Sequence, residues 1–245
     1  MNRPQPVFPP SSDALDEPNG LLAMGGDLSV ARLLAAYRRG IFPWFEPGEQ
    51  ILWWTPDPRM VLFPSEFHCS KSLRKLLKQN VFQIKMNTRF ETVMRACAAP
   101  RADDAGTWIS EDMVAAYGAL HRLGYAHSFE CYCDNTLVGG LYGVRIGDTF
   151  FGESMFSRVP NASKAAFAAL VWMAVSDQLT LIDCQVASPH LSSLGAREIS
   201  RDRFEQLITA AARDNIGRAT AGAEPETPLA FAWQCSLPLK TEALL

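Results

Sequence analysis

Leu181-Ile182-Asp183-Cys184-Gln185-Val186 reads as a strand on which Asp183 and Gln185 alternate onto one face, while Ile182, Cys184 and Val186 take the other. Two polar groups on one side of an apolar strand are either a hydrogen-bonded core pair or functional. Gly152-Glu153-Ser154-Met155-Phe156 brings a carboxylate and a hydroxyl to the end of another strand. It lacks the second glycine of the strained elbow that exposes a serine nucleophile, so Ser154 is not expected to attack a substrate. Cys184 with His190 is a rival nucleophile pair, but Cys184 faces the apolar side, where burial raises a thiol pKa and leaves it inert. His68, His121 and His127 read as surface or core residues.

Charge is uneven along the chain. Between Arg59 and Arg101 there are nine basic residues and two acids, a local +7 in a chain of net charge -3. Lys71, Arg74, Lys75 and Lys78 fall at i, i+3, i+4, i+7 and share one face of a helix whose other face carries Leu73, Leu76 and Leu77. Such a stripe is either a solvated face or a grip on a phosphate backbone, and only the second brings strong salt dependence. Trp44 and Trp108 lie in loops among turn-forming residues, where a ring is either core or a platform for an unpaired base.

Periodicity supplies the elements that must hold these groups. Residues 1–58 are rich in proline and glycine and show one helix, capped by Ser29, carrying Val30, Leu33, Leu34 and Tyr37 and ended by Gly40. The rest of that section reads as loops and turns, with a boundary at Thr55 to Arg59. Beyond it come an extended segment from Arg59 to Phe63, a helix from Ser70 to Gln79 and a strand from Val81 to Met86. Thr88-Arg89-Phe90-Glu91 matches a capping box and opens a further helix. A helix capped by Ser110 carries Met113, Tyr117 and Leu120 and leads into three strands with turns at Asp134-Asn135 and Gly147-Asp148. A long apolar helix then runs to about Val175, a strand covers Leu179 to Val186, and an amphipathic helix uses Phe204, Leu207, Ile208 and Ala211. This order is α+β with a mixed sheet, because the strand after the long helix returns parallel beside the meander. The expected division is a small N-terminal domain at 1–58, a larger domain at 59–216 and an irregular tail at 217–245.

The chain has 245 residues, 48% apolar and 20% charged, a globular composition with enough length to bury a core unaided. Six cysteines lack paired spacing, as in a reducing compartment. Cys131 and Cys133 have no second pair to complete a metal set, so no metal is expected. Met1 to Pro6 lead into prolines rather than an apolar leader, and no apolar run approaches the roughly 20 residues of a spanning helix. A cytoplasmic location away from the membrane is the expectation.

Glu17-Pro18-Asn19-Gly20-Leu21-Leu22-Ala23-Met24-Gly25-Gly26-Asp27-Leu28, Gly40-Ile41-Phe42-Pro43-Trp44, Trp53-Trp54-Thr55-Pro56-Asp57-Pro58-Arg59, Gly152 to Arg158 and Ile182 to Val186 together resemble the bacterial leucyl/phenylalanyl-tRNA protein transferases, over about Phe8 to Ala211. The resemblance implies an acetyltransferase-like (GNAT) fold for the larger domain. It also implies transfer of leucine or phenylalanine, and less well methionine, from aminoacyl-tRNA to acceptor proteins with N-terminal Arg or Lys, marking them for N-degron degradation. By motif matching, Trp44 and Trp108 would embrace the terminal adenosine. Tyr117 and Glu153 would help bind the aminoacyl end, and Leu141, Phe150, Met155, Leu170 and Ile182 would line its side-chain pocket. Asp183 and Gln185 would be the catalytic pair, and Lys71 to Lys78 would grip the acceptor stem. The tail after about residue 215 does not match, and Ser188 stands where some relatives carry an amide.

An aminoacyl ester is already activated and an α-amine of pKa about 7.7 to 8 is partly neutral near pH 7, so neither a cofactor nor a covalent intermediate is required. Alignment of the two can supply up to about 7 to 11 kcal/mol of the barrier. In this reading Gln185 accepts a hydrogen bond from the attacking amine, and Asp183 orients and polarises the amide. Two rivals remain. An acyl-CoA-dependent N-acetyltransferase needs a phosphate-cradling turn, and Ser157-Arg158-Val159-Pro160-Asn161-Ala162-Ser163 has no glycine there and one proline. A non-catalytic RNA-binding module would leave the polar pair on the apolar strand unexplained.

Overall fold

The computed structural model describes residues 6–99 and 109–214, the last four by their backbone. Near the N-terminus, β1 (Leu21–Met24), β2 (Phe42–Pro43) and β3 (Leu52–Trp54) form a small antiparallel sheet in the order β1-β3-β2. Sequence periodicity does not reveal it, because strands of two to four residues, one containing Pro43, carry no alternation to read. The helix expected beside it is present as α1 (Val30–Tyr37), with Ser29 Oγ accepting the Arg32 N–H at 3.4 Å. Gly40 ends it at φ +72°, and a Cβ there would come within 2.5 Å of the Phe204 ring, so only glycine allows the close approach to the last helix. Trp53 is buried against Phe8 and donates its indole N–H to Gly25 O at 2.9 Å.

The remaining chain supplies β4 (Arg59–Leu62), α2 (Lys71–Lys78), β5 (Gln83–Met86), α3 (Phe90–Ala98), α4 (Glu111–Arg122), β6 (Ala126–Cys133), β7 (Thr136–Ile146), β8 (Thr149–Ser157), α5 (Ala162–Ser176), β9 (Leu181–Gln185), α6 (Pro189–Ser193), β10 (Arg197–Ile199) and α7 (Arg201–Asp214). A seven-stranded sheet runs β10-β4-β9-β8-β7-β6-β5, antiparallel throughout except for the parallel pair β8 and β9. The strand after the long helix therefore does return parallel beside the meander, in the mixed sheet expected of the larger domain. Asp134 and Asn135, both at positive φ, turn β6 into β7, the two-residue turn that suits strand twist. The short α6 and β10 were not legible in the sequence.

The sheet separates two apolar cores. One joins the small sheet, α1, α3, α4 and α7 through Tyr37, Trp53, Val93, Tyr117, Phe151 and Phe204. The other joins α2 and α5 to the opposite face through Leu73, Leu77, Phe167, Leu170 and Ile182. Helix α5 is apolar nearly all round, as a helix buried in a core must be. Among the described residues no helix is long and apolar enough to cross a membrane.

The expected capping box at Thr88 does not form. Helix α3 starts at Phe90 with no side-chain cap from Arg89. Its approach is held instead by Glu130 of β6, which accepts Thr88 Oγ1–H at 3.0 Å, Ser128 Oγ–H at 2.6 Å and the Thr88 and Arg89 backbone N–H groups at 3.4 and 3.3 Å. Glu91, the residue that would have closed the box, pairs with Arg95 at 3.1 Å. The tail at 217–245 lies outside the described residues, as does Arg101 of the basic stretch.

Candidate active site

Strands β8 and β9 pair in parallel from Thr149 and Leu181 as far as Phe151 and Asp183, and then part. Each carries a bulge at that level. On β8, Tyr142 of β7 faces Ser154 and Gly143 faces Gly152, which leaves Glu153 as the extra residue. On β9, Met60 of β4 faces Gln185 and Val61 faces Asp183, which leaves Cys184 as the extra residue. Bulges bend a strand and re-aim its side chains, and two in adjacent strands open the sheet. The gap is a cavity of about 920 Å³ at the carboxyl ends of the parallel pair, the place where open sheets bind ligands. Leu141, Met155, Leu170 and Ile182 supply apolar wall, Glu153 and Gln185 stand at the strand ends beside Asp183, and Arg158, His190 and several serines add further polar groups.

Glu153 is buried and receives three donors. Tyr37 O–H reaches Oε1 at 2.8 Å, Tyr117 O–H reaches Oε2 at 3.0 Å and Gln185 Nε2–H reaches Oε1 at 2.9 Å. The two tyrosine hydroxyls also touch each other, so these two hydroxyls and the carboxyl meet in three pairwise contacts. With the carboxyl ionised only two hydroxyl protons serve those three contacts; a protonated carboxyl supplies the third. Burial, partly opposed by the tyrosine and glutamine donors and aided by the charge of Asp183, raises the Glu153 pKa to about 7. Burial and the same carboxylate push Tyr37 and Tyr117 well above the usual phenol range, so both remain donors.

Asp183 has no exposed surface. Arg59 Nε and Nη2 donate to its two oxygens at 2.8 and 2.7 Å in a bidentate pair. Asp183 Oδ1 also accepts the Gln185 backbone N–H at 2.9 Å. The expected arrangement, in which Asp183 polarises the Gln185 side-chain amide, is therefore replaced by another. Glu153 holds the amide nitrogen, Asp183 holds the backbone of Gln185 at φ +64°, and no described residue donates to the amide oxygen.

The other sequence-derived residues fall in different places. Tyr117 is fully buried behind Glu153 and is absent from the cavity wall, and Phe150 lies beneath it in the core against Phe129. Trp44 is 46% exposed on the small sheet with its ring 5.7 Å from that of Trp54, away from the cavity lining. Trp108 lies outside the described residues. Lys71, Arg74, Lys75 and Lys78 are exposed along α2 above buried Leu73 and Leu77, and none has an ion-pair partner among the described residues. Arg59, counted in the sequence as part of the basic stretch, is instead buried with Asp183.

Competing chemistry is not assembled. Burial pushes the Cys184 thiol well above its ordinary range, and its hydrogen bond goes to Ile182 O at 3.9 Å, with none to His190. Burial likewise raises Cys131 to about 12, and among the described residues no cluster of metal-ligating side chains occurs. In the turn before α5, Ser163 N–H donates to Ser157 Oγ at 3.2 Å and Ala162 N–H to Val159 O at 3.2 Å, so donors that would cradle a pyrophosphate are already engaged. Two site residues escaped the sequence reading. Tyr37 looked like one more member of an apolar helical stripe, and Arg59 looked like a surface cation; a charge adjoining Met60-Val61-Leu62 was the one available sign.

Residues 61–209 match the family profile described as leucyl/phenylalanyl-tRNA protein transferase, and residues 26–57 match that of its N-terminal domain. A leucyl/phenylalanyl-tRNA protein transferase of Cellvibrio japonicus is 59% identical over 82% of this chain and 86% of its own length. One of Nitrosomonas europaea is 60% identical over 82% and 85%, and one of Pseudomonas fluorescens 52% identical over 91% and 96%. Among solved structures, a GCN5-related N-acetyltransferase-like protein of Streptococcus suis aligns with TM-score 0.37 at 15% identity, over 68% of this chain and 62% of that one.

Proposed function

The chain belongs to the leucyl/phenylalanyl-tRNA protein transferase family, and from that premise we propose that its splayed β8–β9 cavity transfers leucine or phenylalanine, and less well methionine, from tRNA to proteins beginning with Arg or Lys. The products then enter N-degron degradation. The observation that carries the reading of the site is the Glu153–Gln185 pair in a cavity with an apolar wall of Leu141, Met155, Leu170 and Ile182. The apolar wall suits the donor side chain, and Glu153 in its ionised form suits the donor ammonium. With its nitrogen held by Glu153, the Gln185 amide offers its oxygen to an amine.

In the reaction the acceptor α-amine nitrogen bonds to the ester carbonyl carbon, the bond from that carbon to the ribose oxygen breaks, and the ribose oxygen ends with the amine's proton. An amide is a poor base, so Gln185 orients the amine by accepting its N–H, and the proton leaves by water or directly to the ribose oxygen. Most of the acceleration is assigned to alignment, which can supply about 7 to 11 kcal/mol. The basic face of α2 and the exposed Trp44 are assigned to the acceptor stem and to the terminal adenosine, with Trp108 as the second adenosine contact.

Incubation of the purified chain with radiolabelled leucyl-tRNA and a peptide beginning with Arg tests this directly. Label is expected in the peptide, and not in the same peptide with its amine acetylated. Tight tRNA binding with no transfer would overturn the reading in favour of an RNA-binding module, and acetyl transfer from acetyl-CoA in its place would favour an N-acetyltransferase. An apolar donor pocket also predicts that tRNA charged with Asp or Lys is a poor donor, because a charge buried there would be unpaired.

A further inference from the structure

We propose that Arg59 is a positioning residue for this reaction: its fork on Asp183, packed against Phe42 and Phe204, fixes the end of β9 so that the Gln185 amide meets Glu153. This rests on the assignment of Gln185 to the attacking amine.

Arg59 cannot touch substrate. It opens β4 at the join between the two sheets, its side chain has no exposed surface, and it is absent from the cavity wall that Asp183 and Gln185 help to form. Its guanidinium carbon lies 4.8 Å from the Phe42 ring centroid and 4.6 Å from that of Phe204, so two aromatic rings pack against the cation. Nε and Nη2 donate to the two oxygens of Asp183, while Nη1 has no partner among the described residues.

Stability does not account for such a pair. A buried ion pair with an unspent donor is commonly no better than apolar residues of the same volume. Its distinctive consequence is geometric. The carboxylate that Arg59 immobilises is the acceptor for the Gln185 backbone N–H, just past the bulged Cys184, and Gln185 sits at a positive φ that L-residues avoid. From there Gln185 Nε2 reaches Glu153 across the gap between the strands. Phe42 belongs to the small sheet and Phe204 to α7, so both elements bear on the Gln185 amide through one arginine.

The test is a double-mutant cycle on Arg59→Met and Asp183→Leu, with kcat and KM for leucyl-tRNA, filter-binding affinity for tRNA and a thermal melt for each variant. Expected is a fall in kcat of about 10²-fold, the scale of losing one aligned polar group, for folded Arg59→Met. KM and tRNA affinity should be little changed. The double variant should be no worse than the singles, because both remove the same support. Arg59→Lys keeps the charge and loses the fork, and should restore only part of kcat. Wild-type kcat in folded Arg59→Met, or losses that multiply in the double variant, would overturn the proposal. If Arg59→Met does not fold, Arg59→Lys and Phe42→Leu carry the test on the same split between kcat and KM. Gln185→Asn separates the two assignments: full turnover there removes the role of Gln185 itself, whereas lost turnover there beside full turnover in the folded Arg59 variants removes only the positioning role.

Discussion

Gln185 Nε2 lies 2.9 Å from Glu153 Oε1 although the strands that carry the two residues have already ceased to pair, at Phe151 and Asp183. A side-chain bond thus spans the gap the backbone leaves open. With Glu153 Oε1 accepting, the amide nitrogen faces the carboxyl and its oxygen is left for a donor. A hydrogen-bond donor from the substrate, such as the amine of an acceptor protein, is the partner that orientation selects.

Gln185→Asn tests that orientation. Asn tolerates positive φ, so the backbone at +64° is not newly strained, but the shorter side chain cannot span to Glu153 and present its oxygen together. Single-turnover transfer is expected to fall about 10²-fold, the scale of losing one aligned polar group, with tRNA affinity unchanged by filter binding. A parallel fall in tRNA affinity would place Gln185 in donor binding instead.

Glu153 ties stability to pH. Its ordinary value of 4.5 is raised to about 7 in the folded protein, chiefly by burial. The proton it retains stabilises the fold in full below about 4.5; that contribution shrinks as pH rises and is gone above about 7, where the folded protein must ionise a buried group. The loss is on the order of 3 kcal/mol. His127 works in the opposite sense, since burial lowers it to about 4 and its contribution is lost as pH falls below 6.5. Because His127 is common to both proteins, the difference between wild type and Glu153→Gln isolates the carboxyl. In urea melts at pH 4.5, 6 and 7.5 the variant should gain on the wild type by up to about 3 kcal/mol across the series. Parallel curves would show that Glu153 is ionised throughout.

Helices with a clear apolar stripe were legible in the sequence, and so was the meander, because long elements repeat their period and Asp134-Asn135 demands its turn. The polar pair on β9 was legible for a related reason: Asp183 and Gln185 interrupt an apolar run that gives them no local partner. What was not legible depends on residues distant in sequence. Arg59 is 124 positions from Asp183, and Tyr37 is 116 from Glu153. The small sheet is too short for a period, and the start of α3 shows a local pattern losing to a tertiary one.

That last case is measurable. Glu130 accepts two hydroxyls and two backbone N–H groups; Glu130→Ala strands the buried Ser128 hydroxyl while exposed Thr88 and Arg89 turn to water, so a loss of about 1 to 3 kcal/mol is expected. Glu91→Ala removes only an exposed pair with Arg95 and should cost under about 0.5 kcal/mol. A working capping box would enlarge the second result, with Glu91→Ala costing about 1 kcal/mol. Thermal or urea denaturation of the two variants decides between the arrangements.

The face of α2 makes the last prediction. Lys71, Arg74, Lys75 and Lys78 point to solvent with no carboxylate partner among the described residues, whereas Arg95 is already paired with both Glu91 and Glu111. If the stripe meets the acceptor stem, each phosphate contact removed should flatten the slope of log affinity against log salt by about 0.7 to 0.9. Replacing all four residues with Gln should therefore lower the slope by up to about 3, while Arg95→Gln leaves it unchanged. Phosphate contacts carry no sequence information, so leucyl- and phenylalanyl-tRNA should weaken alike. Transfer at saturating tRNA should be unaffected, since α2 packs on the face of the sheet carrying α5 and contributes nothing to the cavity wall. A loss confined to one tRNA, or a slope that does not move, would show that the stripe is only a solvated helix face.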